Sequence, residues 1–319
     1  MVLALLLGCK NDIDINAPYK DVAIVYGFLD QNAPVQYIRI QKLYQNASTT
    51  STQEGAQVAD SLYFDSLVVN IININKAIPD TFHCYRVDTI PKDSGFFTKD
   101  RNTFYATSIP NNNTASEIYV LDIYYPKKKA HFSAKTVLVK NATIEPRKLV
   151  LKYNDPKFPN HTFAFKFNSG KNAYLYDLGI RYTYKEMDAN DTSSFTIKYV
   201  DYNVVRSIAY LPENAYTQSV SSKAFIENLK AAIPMNAAKI RRTLSVTFRT
   251  YGGSQEFQTM LDLNKPDLTV VQKNPLYSNI EPTQLGIGIF SSRNYVERLM
   301  EIDPSALLLL SKELPNFIY

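Results

Sequence analysis

The sequence predicts an all-β chain, with an N-terminal immunoglobulin-like β-sandwich followed by a second antiparallel β domain that carries two short helices. Three observations lead there. Apolar residues recur with a period of two, as in Tyr119, Leu121, Ile123 and Tyr125, the spacing that lines one face of a strand. The aromatic residues are 23 Tyr and 17 Phe with no Trp, and flat rings of these types pack well on a pleated surface. Two stretches have the caps and the apolar stripe of a helix.

The elements follow in order. Val22, Ile24, Tyr26 and Phe28 alternate with Ala23, Val25, Gly27 and Leu29, so both faces are apolar, as in a strand inside a sandwich. Residues 30–34 are turn-like, and 37–44 form a second strand. Residues 46–61 are rich in Ser, Thr and Gln and read as loop. Strands are expected at 67–75 and 81–90, and loop dominates 91–116. The alternation of 119–125 resumes at Phe132, Ala134, Thr136 and Leu138; Pro126 and the lysines between make this a hairpin. These elements fill an immunoglobulin-like domain over 18–142.

A boundary falls near 141–147, since 319 residues suit two domains, and the second spans 143–319. In it Phe163, Phe165 and Phe167 share a face. Leu178, Ile180, Tyr182 and Tyr184 share another, with Gly179, Arg181, Thr183 and Lys185 on a wet side. Leu244, Val246 and Phe248 repeat the pattern, and Gly252 and Gly253 form a tight turn into 256–263. Ser222 caps a helix with Phe225, Ile226, Leu229 and Ile233 on one stripe, stopped by Pro234. Asp303 and Pro304 open a second helix, stopped by Pro315.

Chemistry-bearing patterns are sparse. Two cysteines, Cys9 and Cys84, are too few for a disulfide framework or a zinc site; Cys84 reads as a small buried hydrophobe. His83, His131 and His161 read as structural. Ser169, Gly170 and Lys171 lack the flanking residues of a phosphate loop and read as a turn. Asp188, Asn190 and Thr192 alternate as in a calcium loop, but Ser193 replaces its Gly and Tyr199 its distal Glu. Glu186 and Glu256 lie in turn-flanking stretches that are expected to be exposed. No catalytic residue, metal ligand or cofactor-binding residue is assigned, and the chain is expected to be no enzyme and to need no cofactor. The net charge of +5 is modest, and the one basic cluster, Lys127, Lys128 and Lys129, reads as a solvated turn. No nucleic-acid partner is expected.

The N-terminus carries the sharpest signal. Residues 2–9 are apolar and end in Leu6, Leu7, Gly8 and Cys9, too short to cross a bilayer, which takes about 20 residues. This resembles the end of a signal peptide with a bacterial lipobox, in which the Cys thiol carries a diacylglycerol. No basic stretch precedes it, and the expectation is that Met1 is internal or that the true start lies upstream. Each acyl methylene buried in the membrane contributes about 0.8 kcal/mol. Lys10, Asp12 and Asp14 follow the Cys and resemble the acidic export tag of Bacteroidota lipoproteins. Residues 1–17 are thus the signal remnant, lipobox and tether. Asp60-Ser61-Leu62, Asp65-Ser66-Leu67 and Asp88-Thr89-Ile90 resemble the O-glycosylation sequon of the same phylum.

Two further stretches support a resemblance over the whole chain. In 118–136 a Tyr-x-Leu strand, a turn and an Ala-x-Thr strand follow one another. Asn274, Pro275, Leu276, Tyr277, Ser278, Asn279 and Ile280 precede Leu285, Gly286, Ile287, Gly288, Ile289, Phe290, Ser291 and Ser292. With the lipobox, these resemble a Bacteroidota outer-membrane lipoprotein family of unknown function. The resemblance implies a two-domain β lipoprotein at the outer membrane, facing the cell exterior, often beside a TonB-dependent receptor. The expectation is a non-catalytic accessory or ligand-binding subunit, joined to the membrane through lipid on Cys9 and to a β-barrel partner. Alternatives are a structural or adhesive part of a motility or secretion apparatus, and a glycan-binding or glycan-hydrolysing surface protein.

Overall fold

The computed structural model describes residues 22–43, 59–93, 99–110, 117–145, 147–264 and 277–319. The chain is all-β. Its first half holds β1 (Ala23–Asp30), β2 (Gln36–Lys42), α1 (Ala59–Leu62), β3 (Val68–Asn73), β4 (Asp80–Val87), β5 (Phe104–Thr107), β6 (Ile118–Tyr125) and β7 (Ala130–Val137). The short strands β8 (Thr143–Ile144) and β9 (Lys148–Leu149) lead to β10 (Thr162–Asn168), β11 (Leu175–Asp188), β12 (Phe195–Ala209) and β13 (Ala215–Ser221). Then come α2 (Ser222–Ala232), β14 (Lys239–Gly253), α3 (Gln255–Leu263), β15 (Gly286–Ile302) and α4 (Pro304–Glu313).

One twelve-stranded sheet links the two halves in the order β12-β11-β14-β15-β1-β2-β5-β4-β3-β6-β7, with β9 beside β15. Its pairings are antiparallel except where β15 meets β1 and β9. A strand near the C-terminus therefore lies alongside the first strand, in register from Ala23 opposite Gly286 to Asp30 opposite Arg293. The hairpin of β6 and β7 forms as its alternation requires, with Lys129 left-handed (φ 49°) at the turn.

The first core gathers Val25, Leu29, Ile38, Val69, Ile71, Leu121, Ile123 and Phe132. It also takes Ile280 and Phe290 from beyond the second half's other strands. The sheet curls so that β7 returns toward β15: Ser292 Oγ donates to the Val137 carbonyl at 2.6 Å and accepts from the Val139 N–H at 3.0 Å. Burial of this apolar surface, at roughly 25 cal/mol per Å2, closes a sandwich-like body.

In the second core the small sheet β13-β10-β8 packs on the inner face of β11 and β14. Phe165 stacks on Phe248 at 4.4 Å, and Phe225 of α2 meets the edge of Phe163 at 5.8 Å. Leu310 and Leu314, in and after α4, complete it. β15 serves both cores, through Phe290 in one and Met300 in the other.

Several local expectations change. Ser221, not Ser222, caps α2, accepting from the Ala224 N–H at 3.3 Å; Ser222 is buried, and its hydroxyl meets His161 Nδ1 at 2.8 Å. Gly252 and Gly253 end β14, and 255–263 is a helix, because Phe257 finds an apolar seat against Phe28 with ring centroids 5.1 Å apart. Leu244 is exposed although Val246 and Phe248 are buried. A register shift opposite Thr183 and Tyr184 inserts Leu244 as an extra residue and breaks the alternation there. β5 lies inside the stretch expected to be loop, held between β2 and β4.

Candidate functional site

The second core uses only the inner face of the four strands β12, β11, β14 and β15. Their outer face presents Arg181, Asp201, Arg249, Tyr251 and Tyr295, brought side by side by strand register. Asp201 lies opposite Arg181, and Tyr251 opposite Tyr295. Alternation explains why these face outward, since Tyr176, Leu178, Ile180 and Tyr182 take the inner side of β11.

The polar groups there are held tightly. Arg181 donates Nε and Nη2 to the two oxygens of Asp201, each at 2.8 Å. This two-point geometry fixes the guanidinium plane. Arg249 donates Nη1 to Asp201 at 2.9 Å and Nε to the Tyr295 hydroxyl at 2.9 Å. Its guanidinium lies 5.4 Å from the ring centroids of both Tyr251 and Tyr295, and that of Arg181 lies 3.9 Å from Tyr199. The two tyrosine rings sit 4.8 Å apart and tilted by 30°.

The charges follow from these bonds. The Arg181 guanidinium, then the Arg249 charge, hold the Asp201 carboxyl below its usual range against the opposing effect of burial. Burial, and then its hydrogen bond to Glu297, push the Tyr295 hydroxyl up to about 12, so it stays neutral. Asp201 is thus ionised and Tyr295 neutral at physiological pH.

Two hollows adjoin it. One of about 330 Å3 lies between the sheet and α3, lined in part by Phe257, Leu261, Tyr251, Tyr295 and Asp177. The other, about 410 Å3, is lined in part by Asp201, Asn203, Arg206, Arg249 and Tyr251. Asp177, Ser207 and Tyr251 line both, so the two hollows lie side by side and are treated as one cleft. Apolar walls with a few fixed polar groups are what a binding cleft needs. It offers rings for stacking, guanidinium edges as donors, and Asp177 and Asn203 toward hydroxyls or amides.

The residues singled out by sequence fall elsewhere. Cys9, its lipobox Leu6, Leu7 and Gly8, and the export-tag candidates Lys10, Asp12 and Asp14 lie outside the described residues. Cys84 packs against the first core, and burial pushes its thiol up to about 12, so it is protonated at neutral pH and a poor nucleophile. Lys127 pairs with Asp65. His83 meets Asn70 at 2.8 Å, and His131 stacks on Tyr124 beside Asp122. The Asp188 and Asp191 carboxylates accept backbone N–H groups two residues on, at 3.0 and 2.9 Å, as turn formers. Among the described residues no group of three His, Cys, Asp or Glu is placed to hold a metal. Ser66 and Thr89, the hydroxyls of two sequons, are exposed.

Glu186 is not exposed as expected. It is buried and accepts from Arg241 Nε at 2.8 Å and from Lys198 Nζ at 2.6 Å. Arg241, also buried, donates Nη1 to the carbonyls of Pro234 and Pro315 at 2.9 Å each. This ties the ends of α2 and α4 to the sheet and makes a structural latch. Glu256 is half-buried on α3 and accepts from Ser254.

Of the two stretches 274–280 and 285–292 that carry the resemblance, Asn274, Pro275 and Leu276 lie outside the described residues, and Ser278, Asn279, Gly288 and Phe290 serve the fold. The Asn279 side chain donates to the carbonyl of Phe290 at 2.7 Å and accepts its N–H at 2.9 Å. Ser278 Oγ accepts from Gly288 N–H at 3.2 Å.

No protein-family model matches the chain, and no curated protein matches it significantly. The platform residues were missed by sequence reasoning. The one available signal was the outward set of β11, where Arg181 stands among Gly179, Thr183 and Lys185; its partner Asp201 lies 20 positions away.

Proposed function

We propose that this chain is a surface-exposed outer-membrane lipoprotein, held by lipid on Cys9, that works as a non-catalytic accessory or ligand-binding subunit of an outer-membrane complex. The observation that supports this reading best is the outer-face cleft. Its rings and guanidiniums rest on strands, which hold them more rigidly than loops would. Residual apolar surface beside fixed polar groups is characteristic of recognition surfaces. The lipobox-like Leu6, Leu7, Gly8 and Cys9 and the resemblance to Bacteroidota lipoproteins supply the expected location.

Purification of the native protein from detergent-solubilised membranes tests this. The wild type should carry a β-barrel partner, and the Tyr251→Ala/Tyr295→Ala double variant should recover far less of it while keeping its circular dichroism spectrum. Wild-type protein recovered alone at native expression would count against the reading.

The Tyr251 and Tyr295 pair favours one second reading, glycan binding. Flat rings can cover the C–H face of a sugar while Asp177 and Asn203 meet its hydroxyls. Saturation-transfer NMR with a neutral oligosaccharide distinguishes the two, since signal transfer that is lost in the double variant belongs to the second alone.

A further inference from the structure

β12 forms one edge of the twelve-stranded sheet, paired along its length with β11. No strand among the described residues takes its other side. Edge strands present unpaired N–H and C=O groups, and monomers guard them with short strands, Pro, projecting Lys or bulges; the irregularities of β12 lie at its far end, opposite Tyr176 to Gly179. β12 has 15 residues and no Pro, and its Lys198 is held on the inner face by Glu186 at 2.6 Å. Its outer face carries Phe195, Ile197 and Tyr199 in a row, exposed by 55%, 63% and 59%. The Arg181 guanidinium lies 3.9 Å from the Tyr199 ring and the Lys185 ammonium 5.5 Å from that of Phe195, and Ile197 stands exposed between the two rings.

We infer that β12 is a self-association edge, on which two copies of this chain pair antiparallel about a two-fold axis at Ile197. The side chains select that register. About Ile197, Phe195 of each copy meets Tyr199 of the other, and Ile197 meets itself. Each exposed apolar group thus finds an apolar group. An axis one residue on would oppose two Lys198 side chains, and an axis at Tyr199 would set Ile197 against Asp201. The register also sets Lys198 opposite Thr196, so no like charges meet. Such an interface is isologous and closes as a dimer. A strand from elsewhere in this chain or from another protein has no built-in reason to match this pattern, whereas a second copy matches it by symmetry. About five residues per copy pair directly, so the dimer is concentration-dependent.

Cysteine scanning on the full chain in detergent tests this. Across an antiparallel pair the Cα atoms lie about 4.5–5.5 Å apart, within disulfide reach. Ile197→Cys should form a disulfide-linked dimer under mild oxidation, whereas Asn203→Cys, on the same face but off the axis, and the parent should not. Ile197→Lys sets two ammonium groups against each other and should raise the dimer dissociation constant at least about tenfold in sedimentation. A wild type that stays monomeric at its highest soluble concentration overturns the inference. So does a dimer that Ile197→Lys leaves unchanged, or crosslinking as strong at Asn203→Cys as at Ile197→Cys.

Discussion

Gly288 faces Val25 across the parallel seam so closely that a Cβ on Gly288 would sit 2.0 Å from the Val25 carbonyl oxygen. Its φ is +125°, a region that side chains rarely adopt. Two independent constraints therefore require glycine where the first and last long strands join.

Gly288→Ala should accordingly lose about 3 kcal/mol or more of stability, since the obstacle is a backbone atom that cannot rotate away. Urea unfolding followed by circular dichroism measures it. A loss below about 0.5 kcal/mol, typical of neutral surface changes, would show that the seam is looser than described.

Arg241→Met should cost about 2–4 kcal/mol, because the buried Glu186 carboxylate keeps only Lys198 and the carbonyls of Pro234 and Pro315 lose their donor. The double variant Arg241→Met/Glu186→Leu should recover much of that loss. Equal losses in single and double variants, seen in thermal melts, would refute the latch.

Glu186 also sets a pH dependence. Burial alone would raise its pKa, but the hydrogen bonds and charges of Lys198 and Arg241 outweigh burial and hold it below the ordinary value of 4.5. A depressed folded-state pKa contributes stability that is present above the unfolded value and lost as pH falls through the folded one. Wild-type stability should therefore decline below about pH 4.5, and Glu186→Gln should flatten that part of the curve. An unchanged slope in acid denaturation would remove Glu186 from the account.

The Cys84 thiol, pushed up to about 12 by burial, should react with a maleimide at pH 7.5 at least about tenfold slower in the native protein than in urea, because the thiolate is the reactive form. Mass spectrometry of the tryptic peptide reports the rates. Equal rates in both states would mean that the β3–β4 side of the first core is open.

Asp201→Asn leaves Arg181 and Arg249 without their shared anion. The site is partly solvated, so stability should change by less than about 1 kcal/mol. Partner recovery from membranes should nevertheless fall, since both guanidiniums lose their fixed orientation. Recovery equal to wild type would place the binding surface elsewhere.

Several elements were legible in the residues. The β6–β7 hairpin follows from strict alternation around Pro126 and the lysines, and α4 follows from Asp303, whose carboxylate accepts from Ser305 N–H at 2.8 Å ahead of Pro304 at the first turn. Others were hidden for physical reasons. α3 has Phe257, Met260 and Leu261 at helical spacing, but Gly252 and Gly253 ahead of it read as a turn, and it is the seat of Phe257 against Phe28 that shows the helix. β5 is four residues long and exists because β2 and β4 flank it. Glu186 looked exposed because its partner Arg241 is 55 positions away. The platform stayed invisible because alternation shows that Arg181 faces outward, but not that Asp201, Arg249 and Tyr295 will stand beside it.

Local chemistry in the chain therefore determined the strand class, the hairpin and the start of α4, because each rests on neighbours a few positions apart. The tertiary structure decided the rest. It joined β15 to β1, buried Glu186 with Arg241, and assembled the tyrosine and arginine face. Strand order is a choice among distant partners of similar local pattern, and it is settled only when whole faces are buried together.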